Sequence, residues 1–208
     1  PQSFEDEKGR RILIGWAGMA DETDYGSEPT VREGWQHSLT VPRQLSWSDG
    51  VLHQYPVSEL EQLRCRKLSL DSDFIEAPAF DLSLTFGGSD QSVRFNDDLI
   101  LTCREGLVTL TFLNDAGCGR TSRCARLKQA DGHMNNLRIL KDTSLLEIYI
   151  NDGELVFTTK YFPENTKRTA ITVTGTVLDA QFWELRRMEV ETDGNEKNYS
   201  AGNRRSAD

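Results

Sequence analysis

The apolar residues of this chain come in short runs broken by Gly, Pro, Asp and Asn, and most runs alternate with polar positions. That period of two predicts strands and turns along nearly the whole length. In GRRILIGWAGM (Gly9 to Met19), Ile12, Leu13 and Ile14 stand without a polar break, which reads as a buried strand needing neighbours on both sides. The polar loop ADETDYGSEPT follows. GWQHSLTVPRQLSW then alternates through Trp35, His37, Leu39 and Val41 and predicts a strand, with Pro42 at its end or edge. Ser48-Asp49-Gly50 is a turn, and VLHQYP is a further short strand. PVSELEQLR changes the period: Val57, Leu60 and Leu63 recur every three residues behind Pro56, which predicts a short helix and the connector between two bodies.

From Cys65 to about Met188 the pattern is strand and turn. Leu82, Leu84 and Phe86 of DLSLTF share one face, and Asp81, Ser83 and Thr85 share the other. LILTCREGLVTLTFLND predicts a hairpin turning at Arg104-Glu105-Gly106. LLEIYINDGELVFTTKYF predicts a second, with Leu146, Ile148 and Ile150 inward and Asn151-Asp152-Gly153 at the turn, and ITVTGTVLDAQFWELR closes the series. Strands so spaced, each with one apolar face, imply two stacked antiparallel sheets. The stretch EVETDGNEKNYSAGNRRSAD is nearly devoid of apolar residues and is expected to be disordered. No internal repeat is present.

Composition narrows the function. The net charge of −9 argues against nucleic acid or an anionic membrane as partner. No apolar run approaches the ~18 residues of a spanning helix, and the first residues lack a signal-peptide pattern. Cys65, Cys103, Cys118 and Cys124 form no C-x-x-C pair and the three histidines are far apart, so no metal site is expected; four cysteines in a chain this long suit a reduced, cytoplasmic protein.

Four stretches, GRRILIGWAGM, EPTVREGWQHSLTVPRQL, GVLHQYPVSELEQLR and LRILKDTSLLEIYINDGELVFTTKYFP, together resemble the C-terminal part of glycoside hydrolase family 32, the invertases, levanases, inulinases and sucrose-6-phosphate hydrolases. They occur in the family's order over residues 1–163, with a weaker match through FWELR. The resemblance implies an all-β architecture: an antiparallel β-sandwich preceded by strands of a truncated β-propeller blade. Residues 1–55 would be the closing strands of the last of five blades, residues 56–64 a short helical linker, residues 65–190 the sandwich and residues 191–208 a polar tail. Most of what GRRILIGW packs against is then expected upstream.

The resemblance also implies an activity, cleavage of sucrose, sucrose-6-phosphate or fructan with retention, which needs two carboxyl groups about 5–5.5 Å apart. Family members carry them in W-x-N-D-P-N-G and E-C motifs, with a hydroxyl-binding Asp in R-D-P. Asn96-Asp97, Asn114-Asp115 and Asn151-Asp152 are not followed by P-N-G, no R-D-P occurs, and the cysteines follow Arg64, Thr102, Gly117 and Arg123, never Glu. No catalytic residue is therefore expected in this chain, and no cofactor is implied. Trp16 stands where family members place a pocket-wall indole beside the fructose ring; read without the family, it is blade core.

His37 reads as a hydrogen-bonded core or rim histidine within a strand. Asp142 and Glu147 resemble a carboxylate pair, but Glu147 lies on the polar face of its strand and matches framework. Trp35, Trp47 and Trp183 read as packing residues or contacts between the two bodies. The implied role of the sandwich is to brace the propeller, with homo-oligomers formed through the exposed N-terminal strands. The competing function is a stand-alone carbohydrate-binding sandwich, which needs exposed aromatics on one sheet; Phe86, Phe112, Phe157 and Phe182 fall on inferred inward faces.

Overall fold

The computed structural model describes residues 1–18, 29–117, 121–128 and 132–188. The polar tail, Cys118 and most of the loop ADETDYGSEPT lie outside the described residues.

The first 56 residues form a four-stranded antiparallel sheet in the order β1 (Gln2–Glu5), β2 (Arg11–Ile14), β5 (Arg43–Ser48) and β6 (Val51–Pro56). The strand RILI thus finds hydrogen-bonded neighbours on both sides within the chain: Ile12 pairs with Phe4 in β1 and Gln44 in β5. Strand β1 was not legible because QSFE is short, polar and exposed throughout. Asp49 (φ 51°) and Gly50 (φ 74°) close β5 onto β6, with Ser48 paired to Val51; two positive φ angles in a two-residue loop suit the twist of the strands they join.

Between β2 and β5 runs a small two-stranded ladder, β3 (Trp16–Ala17) with β4 (Ser38–Leu39), with a 3-10 turn over Pro29–Glu33 between its two strands. The expected strand through Trp35, His37 and Val41 is therefore reduced to Ser38–Leu39. His37 takes φ 65°, a left-handed conformation that breaks an extended run. The connector is a 3-10 helix over Ser58–Leu63; Pro56 ends β6 instead of opening the helix, and Val57 caps it.

The remaining strands are β7 (Arg64–Lys67), β8 (Phe80–Phe95), β9 (Leu99–Arg104), β10 (Leu107–Phe112), β11 (Ser122–Arg126), β12 (Asn136–Lys141), β13 (Leu145–Ile150), β14 (Leu155–Lys160) and β15 (Ile171–Leu185). They form a sandwich whose two layers are continuous with each other, because β8 and β15 each run through both. The first half of β8 pairs with β12, continuing to β13 and β14, while its second half pairs with β9, continuing to β10 and β11. β15 follows β8 throughout, from Ile171 opposite Phe95 to Glu184 opposite Phe80. The crossing point is irregular: residues 88–91 of β8 stand against Gly175 alone, whose φ of 114° is closed to other residues.

One apolar core fills the space between the layers. Leu82, Ile139 and Ile148 lie in register across β8, β12 and β13 and are each fully buried, worth about 1.5–3 kcal/mol apiece relative to exposure. Phe86, Phe112, Phe157 and Phe182 are buried in the same core. Glu105 and Gly106, both at positive φ, close the β9–β10 hairpin.

Candidate functional site

The outer face of β8, β12 and β13 is polar and yet buried. Asp81, Arg138, Glu147 and Tyr149 each expose 4% or less. What covers them is the edge of the first sheet, chiefly β5 and β6. The Gln54 amide of β6 donates to the Gly153 carbonyl at the β13–β14 turn (3.0 Å), so the open edge of one body is closed by a turn of the other.

Two ion-pair clusters fill this seam. In the first, Arg43 donates from Nη2 to Glu147 Oε2 (2.6 Å) and Thr158 Oγ1 (2.5 Å), and from Nε to Glu147 Oε2 (3.2 Å) and the Tyr149 hydroxyl (3.1 Å). Glu147 also accepts the Val41 backbone N–H (2.7 Å) and the Tyr149 hydroxyl (2.5 Å). Burial, and after it the Glu147 carboxylate, pushes the Tyr149 phenol far above its ordinary value. In the second cluster Asp81 accepts from Arg138 Nε (3.0 Å) and Nη2 (2.8 Å) and from Arg64 Nε (2.9 Å). Burial opposes the Arg138 charge, but the bonded Asp81 outweighs it, so the guanidinium is held above its usual range. The Arg138 guanidinium lies 5.5 Å from the centre of the Tyr55 ring of β6. Each of the two buried carboxylates is bonded by arginine and held among fixed protein donors, which suits cohesion.

Asp142 and Glu147 do not form a catalytic pair: Asp142 is exposed at the β12–β13 turn, accepting the Thr143 N–H (2.7 Å), whereas Glu147 is 1% exposed and held by Arg43. The sequence placed Glu147 correctly on a polar strand face. It gave no sign that this face is buried, since Arg43 lies 104 residues away.

Within this chain Trp16 is 53% exposed in β3, and a Cβ placed on Gly18 would overlap its ring. His37 meets the indole edge-on, with ring centroids 5.0 Å apart and planes at 71°. Behind it, the Gly15 N–H donates to Thr40 Oγ1 (2.9 Å) and the Thr40 N–H returns to the Gly15 carbonyl (2.8 Å). Trp35, 39% exposed, has the Lys160 ammonium of β14 5.6 Å from its ring centre, a contact between the bodies. Trp47 is 71% exposed, so it is neither packing residue nor contact; Trp183 lies on β15 with Lys67 over its ring.

Among the described residues Cys65, Cys103 and Cys124 are free thiols, no group of metal-ligating side chains gathers, and no helix is long and apolar enough to cross a membrane.

A four-stranded sheet joined by the buried Arg43–Glu147 ion pair to a two-layer sandwich, with an indole on the adjoining ladder, is an all-β chain of the propeller-plus-sandwich class. Residues 1–56 match the family model for the glycosyl hydrolases family 32 N-terminal domain, and residues 104–184 match that for the glycosyl hydrolases family 32 C terminal. The chain belongs to glycoside hydrolase family 32. It is 33% identical over 192 residues to a probable sucrose-6-phosphate hydrolase of Vibrio cholerae, covering 88% of this chain and 34% of that protein. It is 32% identical over 200 residues to the sucrose-6-phosphate hydrolase of Bacillus subtilis, covering 89% and 41%. The chain thus spans about a third to two fifths of the length of the curated relatives it matches. The fold matches that of the sucrose-6-phosphate hydrolase from Lactobacillus gasseri (TM-score 0.72, 24% identity, 89% of this chain and 40% of that one). It also matches the Bombyx mori GH32 beta-fructofuranosidase (TM-score 0.68, 20% identity, 89% and 40%).

Proposed function

We propose that this chain is the C-terminal part of a β-fructofuranosidase-type hydrolase that cleaves sucrose or sucrose-6-phosphate with retention, acting in a reduced, cytoplasmic compartment. In this reading residues 1–55 belong to the last propeller blade, 56–64 to the linker and 65–190 to the sandwich. The observation that carries it is Trp16, an indole half-exposed on the I-G-W stretch of a family 32 chain and seated between Gly18 and His37. An indole face packs on the apolar face of a sugar ring and can give its N–H to a hydroxyl. Sucrose and sucrose-6-phosphate are favoured over fructan as substrates by the names of the relatives that match it.

The chain by itself is expected to release no fructose from sucrose or sucrose-6-phosphate, while a chain that also carries the family's carboxylate motifs does so. In that longer chain Trp16→Ala should lower kcat/KM severely. Fructose release by the 208 residues alone, or full activity of the longer Trp16→Ala variant, would refute the proposal. The sandwich braces the blade through the ion-pair seam, and the large exposed side chains Phe4, Leu39, Trp47 and Leu52 of the first 56 residues favour association through that region. A monomer by light scattering at tens of micromolar protein would overturn that last point. A free-standing sugar-binding module is disfavoured, because the sandwich phenylalanines are buried in its core.

A further inference from the structure

The two residues flanking Trp16 are both tied to the segment 38–41. On one side Gly15 exchanges two hydrogen bonds with Thr40; on the other, Ala17 pairs with Ser38 in the short β3–β4 ladder. That ladder has two residues per strand, too few to hold an indole in one orientation alone. The segment is secured at both ends from the sandwich. At Ser38, the Lys160 ammonium of β14 donates to Oγ (2.9 Å). At Val41, the Glu147 carboxylate of β13 accepts the backbone N–H (2.7 Å). Lys160 and Glu147 are 4% and 1% exposed, so each anchor is fixed by its own surroundings.

We propose that Glu147 and Lys160 are positioning residues for Trp16: the sandwich sets the orientation of the sugar-facing indole by clamping the four-residue segment to which both of its neighbours are bonded. The functional meaning rests on reading Trp16 as a pocket wall. The geometry does not, because the anchoring bonds go to Ser38 and Val41 and the clamp exists without sugar. On this basis the second body is more than a brace: movement at the seam is transmitted to Trp16 through two hydrogen bonds and a short ladder.

The test uses the 208-residue chain without ligand. Amide hydrogen exchange and the four indole N–H resonances, assigned by single Trp→Phe changes, are compared in the parent, Lys160→Met, Glu147→Gln and Lys160→Arg. Thr40→Val, which cuts the Gly15 bond without touching the sandwich, serves as internal reference. In Lys160→Met, and in Glu147→Gln, where Arg43 claims the one amide oxygen and turns the NH2 toward the Val41 N–H, the Gly15 and Thr40 amides are expected to exchange about fivefold faster, the factor for one net hydrogen bond. The Trp16 indole should shift in the direction seen for Thr40→Val, and Lys160→Arg should restore the parent values. The Trp183 indole and the Ile139 and Ile148 amides should not move. The proposal is overturned if Thr40→Val moves Trp16 while both sandwich variants leave it unchanged. It is equally overturned if Trp183 and the core amides move with Trp16, since the effect is then general loosening. Because no sugar is present, a positive result beside an active longer-chain Trp16→Ala variant would retire the pocket reading and leave the clamp standing.

Discussion

Replacing Arg43 by Met should separate the stability of the two sheet bodies. Arg43 is 6% exposed and satisfies Glu147, Thr158 and Tyr149 at once. Met keeps most of the buried stem and removes the charge, leaving the Glu147 carboxylate buried with two neutral donors, Val41 N–H and Tyr149 O–H. Breaking one side of a buried pair costs about 3–5 kcal/mol. The two surviving donors place this case near the lower end, about 3 kcal/mol. Neutralising the orphan as well, in Arg43→Met/Glu147→Gln, removes the buried charge while an amide oxygen still accepts the Val41 N–H. The double variant is therefore expected to be more stable than Arg43→Met alone, a coupling visible in a double-mutant cycle. Urea unfolding followed by two probes measures it. Tryptophan fluorescence weights the first body, which holds Trp16, Trp35 and Trp47, and far-ultraviolet circular dichroism weights the larger sandwich. The parent should show coincident transitions, and Arg43→Met should show fluorescence melting first. An Arg43→Met cost below about 1 kcal/mol, or a double variant costing the sum of the singles, would refute a cohesive role for the pair.

Three further outcomes are expected. Burial pulls the Lys141 ammonium, which donates to the Pro78 carbonyl (2.8 Å), down to about 8 from 10.5, so between those pH values the unfolded chain holds a proton that the folded one has lost. Stability therefore gains about 3 kcal/mol from this group as pH rises through that window, and the stability difference between the parent and Lys141→Met should change by that amount from pH 7 to 10.5; a flat difference would contradict the burial argument. Gly153→Ala should cost at least ~2 kcal/mol by thermal unfolding, because Gly153 has φ +83° and a Cβ there would overlap the Gln54 carbonyl; a neutral substitution would mean the two bodies are not in contact at this turn. Asp98→Asn should weaken the knot in which Asp98 accepts from Asn96 (3.0 Å), Asn114 (2.6 Å) and the Tyr161 hydroxyl (2.8 Å). Burial opposes ionisation of Asp98, yet these donors outweigh it and hold its carboxyl below the usual range, so the parent should lose stability as pH falls toward that carboxyl's range and the variant should lose less.

The local features were legible wherever chemistry forces one conformation. Asp49-Gly50, Glu105-Gly106 and Asn151-Asp152-Gly153 all take positive φ and all turn a hairpin, as their Gly, Asn and Asp residues favour; Glu105 shares the geometry of the glycine beside it. The alternation Leu82, Leu84, Phe86 gave the core face of β8 directly. The misses share a different cause. Trp35-Gln36-His37 has strand periodicity, but His37 at φ 65° interrupts it; histidine adopts that geometry more often than most residues, yet not often enough to overrule the alternation. Pro56 suits a helix start and a strand end equally, and the pairing of Arg43 with Pro56 settled the matter in three dimensions. Periodicity cannot reveal that β8 and β15 pass through both layers: Gly87-Gly88-Ser89-Asp90-Gln91 and Gly175 mark a break, but which sheet each half then joins depends on partners far off in sequence.

The seam was the least legible feature and the most informative about chemistry. β13 is buried on both faces, yet one face reads Leu146, Ile148, Ile150 and the other Glu147, Tyr149. A polar strand face predicts solvent unless a partner brings matching charge, and those partners lie far off in sequence: Arg43 for Glu147, and Arg64 and Arg138 for Asp81. An apolar seam could slide by one residue at small cost, whereas Arg43 is satisfied only when Glu147, Tyr149 and Thr158 are all opposite it. Fixing the register of the two bodies is thus what the Arg43–Glu147 pair does best, while Asp81, Arg64 and Arg138 tie β7, β8 and β12 together beneath Tyr55. A carboxylate used in this way is buried among fixed protein donors, away from any approaching sugar. Asp81 and Glu147, the buried carboxylates of the seam, are both spent on the architecture, so under the proposed function the reacting pair must be supplied by residues other than these.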